Sequence, residues 1–437
     1  MLTPLFWNTL SNNQKKKLLE RPTQSSTEKL TKTVRELIQK VQIEGDKALF
    51  SLTQKFDQVE LSNLRVTPEE FDEAMNRVEP EVFKAFESAI SQITAFHQKQ
   101  RLSNLTVVTS PGIVCERLVV PIQRVGLYVP AGSAPLVSTV LMLGIPSRMS
   151  GCPLRVLCAP PNQAKTINPY LLVAASLCGI QDVFKVGGAQ AIAAMAYGTE
   201  TIPKVDKIFG PGNSWVTLAK MLVSLDPQGA QLDLPAGPSE VMVIADETAN
   251  PVFVAADLLS QAEHGEDSQV FLISNSDTFA KAVNHQLEIQ LEALSRKTIA
   301  RRSLKQSHSI IVENLTDAIS LVNAYAPEHL ILQLANPRTY LPAIYNAGSI
   351  FLGPFSPESV GDYASGTNHV LPTAGFARSC SGLSVNDFMR TMSVQELTSE
   401  GLSSIAETIR LLTAIEGLDA HQKAIDLRLQ EVRNGIN

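Results

Sequence analysis

The chain has no apolar run approaching the roughly 20 residues that a membrane-spanning helix needs. Its most apolar stretch, Val125–Ile145, is broken by Pro130, Gly132, Pro135 and Gly144. The opening MLTPLFWNTL lacks a basic segment followed by a long apolar one, so no secretion signal is read and a cytoplasmic location is expected. There is no excess of positive charge: 37 Lys and Arg face 43 Asp and Glu, for a net charge of −6. That argues against nucleic acid as the main partner, because binding a polyanion requires a basic face. The run Lys15-Lys16-Lys17 reads as a solvated helix face. Cysteine is scarce, odd in number and without a CxxC pair: Cys115, Cys152, Cys158, Cys178 and Cys380. Neither a disulfide framework nor a thiolate zinc cluster is indicated. Cys158 and Cys178 lie in apolar runs and read as small core residues. Cys380 sits in a Ser-rich loop, and no neighbour in sequence clearly favours its thiolate. The dinucleotide fingerprint GxGxxG, sustained repeats and low-complexity tracts are also missing.

What is present is a globular composition, 44% apolar and 18% charged, in 437 residues, enough for two to four domains. The N-terminal part reads as helical. Ser25-Ser26-Thr27-Glu28 offers a capping box ahead of apolar residues at helical spacing, Leu30, Val34, Leu37, Ile38 and Val41. Thr67-Pro68-Glu69-Glu70 starts a second helix, interrupted before Pro80 and resuming towards His97. From about residue 120, short strands alternate with helices: Val125–Val129, Arg155–Cys158, Val183–Val186 and Lys207–Phe209. A second series follows: Val241–Ala245, Val270–Ile273, Ser309–Val312, Leu330–Leu334 and Ser349–Leu352. The alternation predicts an α/β fold with two mostly parallel sheets and a boundary near 233–238. Helix is expected again over Ser393–Leu412.

Four pieces carry ligand-type side chains and hold four of the seven histidines. Ser359–Leu371 sets Asp362 and His369 in a loop-like segment. Gln261 and His264 stand three apart at the end of a predicted helix, Pro251–Ala262, and so share one face; a solvated helix end is the plainer alternative. Glu328-His329 joins a carboxylate to an imidazole, a good acid–base pair if the backbone after Pro327 is irregular enough to aim both at one site. His421 is a further candidate ligand or an exposed helix histidine. His264, His421, Asp362 and the Gln261 amide oxygen would give two nitrogens and two oxygens, a donor set that suits zinc, manganese or cobalt. Glycine-rich turns at Gly126–Gly132, Gly187–Gln190 and Gly210–Asn213 overlap or follow strand ends, where nucleotides bind in α/β folds; tight packing turns are the alternative.

Together these motifs resemble the histidinol dehydrogenase family over nearly the whole chain: VGLYVPAGSAP, VGGAQAIAAMAYGT, KIFGPGN, DLPAGPSEV, LLSQAEHG, APEHL, SPESVGDYASGTNHVLP and GLDAH. The resemblance implies oxidation of L-histidinol to L-histidine by two NAD molecules through an aldehyde, with one zinc ion per active site. Zinc would be held by Gln261, His264, Asp362 and His421, and the acid–base pair would be Glu328 and His329. Substrate contacts would come from Ser239, His369 and Glu416 alongside Gln261, His264, His329, Asp362 and His421. NAD contacts would come from Tyr128, Gln190 and Asn213. The implied architecture is two incomplete Rossmann-like domains, 26–126 with 239–381 (metal and catalytic residues) and 127–238 (NAD contacts). Helical extensions would occupy 1–25 and 382–437. A homodimer is implied in which the C-terminal extension delivers Glu416 and His421 in trans.

Two rival readings stay open at this point. One is a zinc hydrolase in which Glu328 activates a water. The other is a non-enzymatic metal- or nucleotide-binding module. A related amino-alcohol dehydrogenase is the nearest variant.

Overall fold

The computed structural model describes residues 2–21, 27–131 and 135–433. Chain contacts group into two compact units, Met1–Gln100 with Ile122–Phe388, and Arg101–Pro121 with Met389–Asn437.

The first unit contains two parallel sheets. One has six strands: β1 (Pro4–Phe6), β9 (Glu240–Ala245), β10 (Gln269–Ser274), β11 (His308–Ile311), β12 (His329–Gln333) and β13 (Ser349–Leu352), in the order β1-β11-β10-β9-β12-β13. The other has five: β4 (Arg124–Tyr128), β5 (Leu154–Ala159), β6 (Asp182–Lys185), β7 (Lys207–Phe209) and β8 (Gln231–Leu232), in the order β6-β5-β4-β7-β8. Both sheets are covered on both faces, as parallel sheets require. Along β9, Val241 and Val243 pack with the helices Pro251–Ala262 and Asp277–Ala293, while Met242 and Ile244 face Leu315–Tyr325. The strands therefore read as continuous apolar runs, which is why the nine strands expected from sequence appear within a residue or two of their places. Within these two sheets the missed strands, β1 and β8, lie at sheet edges and have three and two residues, too few to show a period.

The N-terminal helices Thr27–Glu44, Asp46–Asp57, Pro68–Arg77 and Pro80–Gln98 pack on the helical layers of the five-stranded sheet. The Thr67 cap forms as read, with Thr67 Oγ1 accepting from the Glu70 amide and Glu70 returning the bond. Of the expected cap at Ser25-Ser26-Thr27-Glu28, the two serines lie outside the described residues; so does Gly132 of the first glycine turn.

The second unit is built on an antiparallel sheet, β14-β3-β2: β2 (Leu105–Ser110), β3 (Ile113–Pro121) and β14 (Met389–Leu397). This corrects the helical reading at the start of Ser393–Leu412. Residues 393–397 finish β14, and helix begins only at Ser399, with the Thr398 hydroxyl accepting from the Gly401 amide. MRTMSVQEL gains its strand form from nine paired positions along β3, a non-local partner that a local period cannot reveal. Helices Ser399–Glu416 and Asp419–Arg433 complete this unit.

Candidate active site

The Pro327-Glu328-His329 segment starts from an unusual backbone. Ala326 sits in the left-handed region at φ 57°, a conformation that costs a side-chain-bearing residue energy and clusters at functional sites. The turn it makes leaves Glu328 just outside β12 and His329 as its first residue, both buried. Their side chains converge, with Glu328 Oε2 3.5 Å from His329 Nδ1. The backbone irregularity expected after Pro327 is thus present, one residue earlier.

Glu240, the first residue of β9, holds both members of the pair through its own backbone N–H and C=O. Its N–H donates to Glu328 Oε2 at 2.8 Å, and its carbonyl lies 3.2 Å from His329 Nδ1. His329 Nε2 is directed to the other side, 3.9 Å from Asp362 Oδ1. Burial would lower the pKa of His329, but the carboxylates of Glu358, Glu328 and Asp362 outweigh it and push the value up to about 10. Burial raises Glu328, with His329 opposing.

Beside the pair, His264, Glu358 and Asp362 each present one ligand-type atom, and those atoms lie within 4.8 Å of one another. An imidazole and two carboxylates at this spacing form a donor set for a hard or borderline divalent cation. His264 follows the helix Pro251–Ala262, whose last turn carries Gln261, completely buried. With its amide oriented by its neighbours, Gln261 donates from Nε2 to the Glu358 carboxylate, and its Oε1 accepts from the Glu240 amide at 3.1 Å. His264 keeps an exposed edge; desolvation by the protein around it pulls its pKa down, and Asp362 works against it. Burial lifts Glu358 to about 8, against the pull of His329 and helped by Asp362.

Glu358 is the residue that sequence reasoning missed. It lies one helical turn before Asp362 on the short helix Glu358–Tyr363, so the two carboxylates share a face. The spacing was visible in SPESVGDY; what was not visible was that Glu358 is 1% exposed. His369, also expected here, has both ring nitrogens engaged: Nδ1 is 2.9 Å from the Asp362 carbonyl and Nε2 is 3.2 Å from Thr139 Oγ1. Burial lowers its pKa, which fits a neutral ring.

The expected NAD residues line one wall of a cleft of about 800 Å³ that Ser239 and His264 also border. All stand at the C-terminal ends of the five-stranded sheet's strands. Tyr128 ends β4; its hydroxyl accepts from the Gly188 amide at 3.0 Å, and burial pushes its pKa up to about 12. Gln190 lies in the first turn of the helix Gly188–Tyr197. Asn213 caps the helix Ser214–Ser224, accepting from the Trp215 and Val216 amides. Gly210 approaches the Tyr128 carbonyl so closely, at φ 116°, that no Cβ fits. A buried ion pair braces this turn: Asp233 Oδ2 accepts from the Gly210 amide, Lys220 Nζ donates to the Gly210 carbonyl, and the two charged groups bind each other. Asp57 reaches the same cleft with Oδ2 buried and without a hydrogen-bond partner among the described residues.

Glu416 and His421 belong to the second unit, at the end of Ser399–Glu416 and in the first turn of Asp419–Arg433, both exposed. Cys158 and Cys178 are fully buried, as read; Cys380 is partly exposed. No helix among the described residues is long and apolar enough to cross a membrane.

The chain is similar to known proteins over nearly its whole length. A family model described as histidinol dehydrogenase matches residues 19–429. Histidinol dehydrogenase from Vibrio cholerae is 53% identical over 429 residues, covering 98% of this chain and 99% of that protein. The Legionella pneumophila histidinol dehydrogenase is 50% identical over 430 residues, 98% of this chain and 99% of its own. The crystal structure of histidinol dehydrogenase from Elizabethkingia anophelis superposes with a TM-score of 0.94 at 45% identity, covering 99% of each chain. With residues 19–429 matched by the family model and relatives 50–53% identical over 98% of its length, the chain belongs to the histidinol dehydrogenase family.

Proposed function

We propose that this chain oxidises L-histidinol to L-histidine in two successive hydride transfers to NAD, with one zinc ion held beside the Glu328–His329 pair. The observation that carries this reading is the convergence of that pair with His264, Glu358 and Asp362 at a cleft that the strand-end glycine turns also border. A bound divalent cation would engage the imidazole and amine of the substrate, and its charge would offset the carboxylates that hold His329 protonated. His264 and Asp362 are its proposed first-unit ligands, with Gln261 and the partner-supplied His421 completing the set. Tyr128, Gln190 and Asn213 are the proposed NAD contacts, and Ser239, His369 and Glu416 the further substrate contacts.

The chain's own residues then divide the work. His329 takes the hydroxyl proton as the first hydride leaves. Glu328 draws a proton from the water that hydrates the aldehyde, and His329 serves again as base for the second hydride transfer. The hydrogen bond from Nδ1 to the Glu240 carbonyl leaves Nε2 as the accepting nitrogen. The two proposed Rossmann-like halves, 26–126 with 239–381 and 127–238, centre on the six-stranded and the five-stranded sheet respectively.

A homodimer in which Glu416 and His421 act in trans completes the reading. Its support is the row of exposed apolar side chains on the two C-terminal helices, Leu411, Leu412, Ile415, Leu418 and Leu427, which a second copy would cover. A cytoplasmic setting fits a biosynthetic enzyme with unpaired cysteines.

The test is NADH formation from L-histidinol, followed by absorbance before and after chelation and zinc add-back. Two NADH per substrate, lost on chelation and restored by zinc, is the expected result. Hydrolytic activity without NADH would favour the zinc-hydrolase reading instead.

A further inference from the structure

Arg21 lies over 300 residues from Glu328 in sequence, yet it ends on the scaffold that holds the acid–base pair. Its guanidinium forks onto the Glu240 carboxylate, Nε to Oε1 at 2.8 Å and Nη2 to Oε2 at 2.9 Å. The same Nη2 donates to the carbonyl of Ala326 at 3.3 Å, and the guanidinium plane lies 3.8 Å over the Tyr325 ring. Arg21 therefore grips both sides of the site: the start of β9 through Glu240, and the left-handed turn at Ala326 from which Glu328 and His329 emerge.

The Glu240 side chain is 4% exposed and receives a third bond, from the Ala374 amide at 3.0 Å. A carboxylate that deep, near Glu328, is tolerated only with a fixed countercharge. Among the described residues Arg21 is the cation paired with it. The Glu240 backbone, in turn, donates through its N–H to Glu328 and Gln261 and accepts through its C=O at His329. A rotation of the backbone at Glu240 would disturb all three contacts. A planar fork with two parallel bonds is well suited to prevent the rotation, whereas a lysine could not reproduce it.

We propose that Arg21 is a positioning residue for the Glu328–His329 pair, acting through Glu240 and the Ala326 turn, a role that rests on the pair being the acid–base machinery. It touches no substrate or cofactor residue. Its effect is predicted on the chemical steps and not on binding of NAD.

The experiment compares the parent enzyme with Arg21→Lys, Arg21→Ala and Glu240→Gln, using steady-state NADH formation from L-histidinol, zinc retention against a competing chelator, and thermal unfolding. The expected result is a kcat lower by about tenfold to a hundredfold in Arg21→Ala, the range for residues that orient catalytic groups, with KM for NAD within about threefold of the parent. Zinc should be retained, and millimolar guanidinium should restore part of the kcat of Arg21→Ala but none of that of Glu240→Gln. Arg21→Lys, which keeps the charge, should fold like the parent and still lose kcat. Folded variants with unchanged kcat would overturn the proposal. So would a uniform loss in which kcat, NAD affinity, zinc retention and Tm fall together, since that marks general loosening. A parent enzyme that forms no NADH from L-histidinol would instead overturn the proposed function.

Discussion

His329 Nδ1 lies 3.2 Å from the main-chain oxygen of Glu240, and that one contact decides which ring nitrogen can act as base. Nδ1 donates, so Nε2 faces Asp362 and the cation-type cluster. Replacing His329 with Gln should lower kcat for both hydride transfers by about 10²–10⁴-fold, the usual contribution of a positioned acid or base. Glu328→Gln should behave differently, sparing oxidation of L-histidinol to the aldehyde and slowing oxidation of the aldehyde supplied directly. Single-turnover measurements with each substrate separate the two steps. Equal losses in both would rule out this division of labour.

Glu358 ties the cation-type donor cluster to the pair, because its carboxylate takes the Gln261 amide and lies 3.9 Å from His329 Nδ1. Glu358→Gln keeps the shape but removes the charge and leaves Gln261 facing another amide. Zinc affinity, measured by chelator competition, should fall about tenfold to a hundredfold. Unchanged affinity would mean that Glu358 neither binds the cation nor orients its ligands.

The proposed supply of His421 in trans makes a simple prediction for mixed dimers. His329→Gln and His421→Ala homodimers should each be nearly inactive. Unfolding and refolding them together should produce heterodimers with one intact site, so that activity returns to about a quarter of the parent level. No recovery from a demonstrably mixed sample would place His421 in the same subunit's site or outside it altogether.

Much of this was legible in the sequence, for identifiable reasons. Strands β9, β10 and β12 are buried on both faces and so read as unbroken apolar runs. Gln261 and His264 were found because helical spacing places them together, and Glu328–His329 because the two chemistries adjoin. Glu358 was missed although its spacing to Asp362 is the same kind of signal, since a lone Glu after a proline reads as a first-turn helix acid. β14 was missed because its form comes from pairing with β3, a strand far earlier in the chain (Met389 pairs with Pro121 and Leu397 with Ile113). The Arg21–Glu240 pair was likewise beyond local pattern, joining residues 219 apart.

The ion pair behind the glycine turn should matter to both stability and nucleotide binding. Lys220 and Asp233 are almost fully buried, and together they bond both backbone polar groups of Gly210, its N–H and its C=O. Lys220→Met strands a buried carboxylate, which typically costs about 3–5 kcal/mol. Chemical denaturation should show that loss, and KM for NAD should rise as the turn leading to Asn213 relaxes, with KM for L-histidinol changing less. An unchanged KM for NAD in a folded variant would separate this brace from the nucleotide site.

Asp57 makes stability depend on pH in the opposite sense to an ordinary paired carboxylate. Burial raises its pKa from 3.8 to about 6, and it ends the helix Asp46–Asp57, where a negative charge meets the negative pole of the helix. Between about pH 4 and pH 6 the folded chain keeps a proton there that the unfolded chain has released. The folded state therefore binds more protons in that window, so stability from this group falls as pH rises through it and stays lower above it. The unscreened shift corresponds to about 3 kcal/mol, and solvent at the open side of the group reduces it to about 1 kcal/mol. Asp57→Asn removes the charge and keeps the shape. Its Tm should match the parent's near pH 4 and exceed it at pH 8, measured without nucleotide. A variant that is less stable than the parent at pH 8 would mean that the carboxylate has a cationic or hydrogen-bonding partner there.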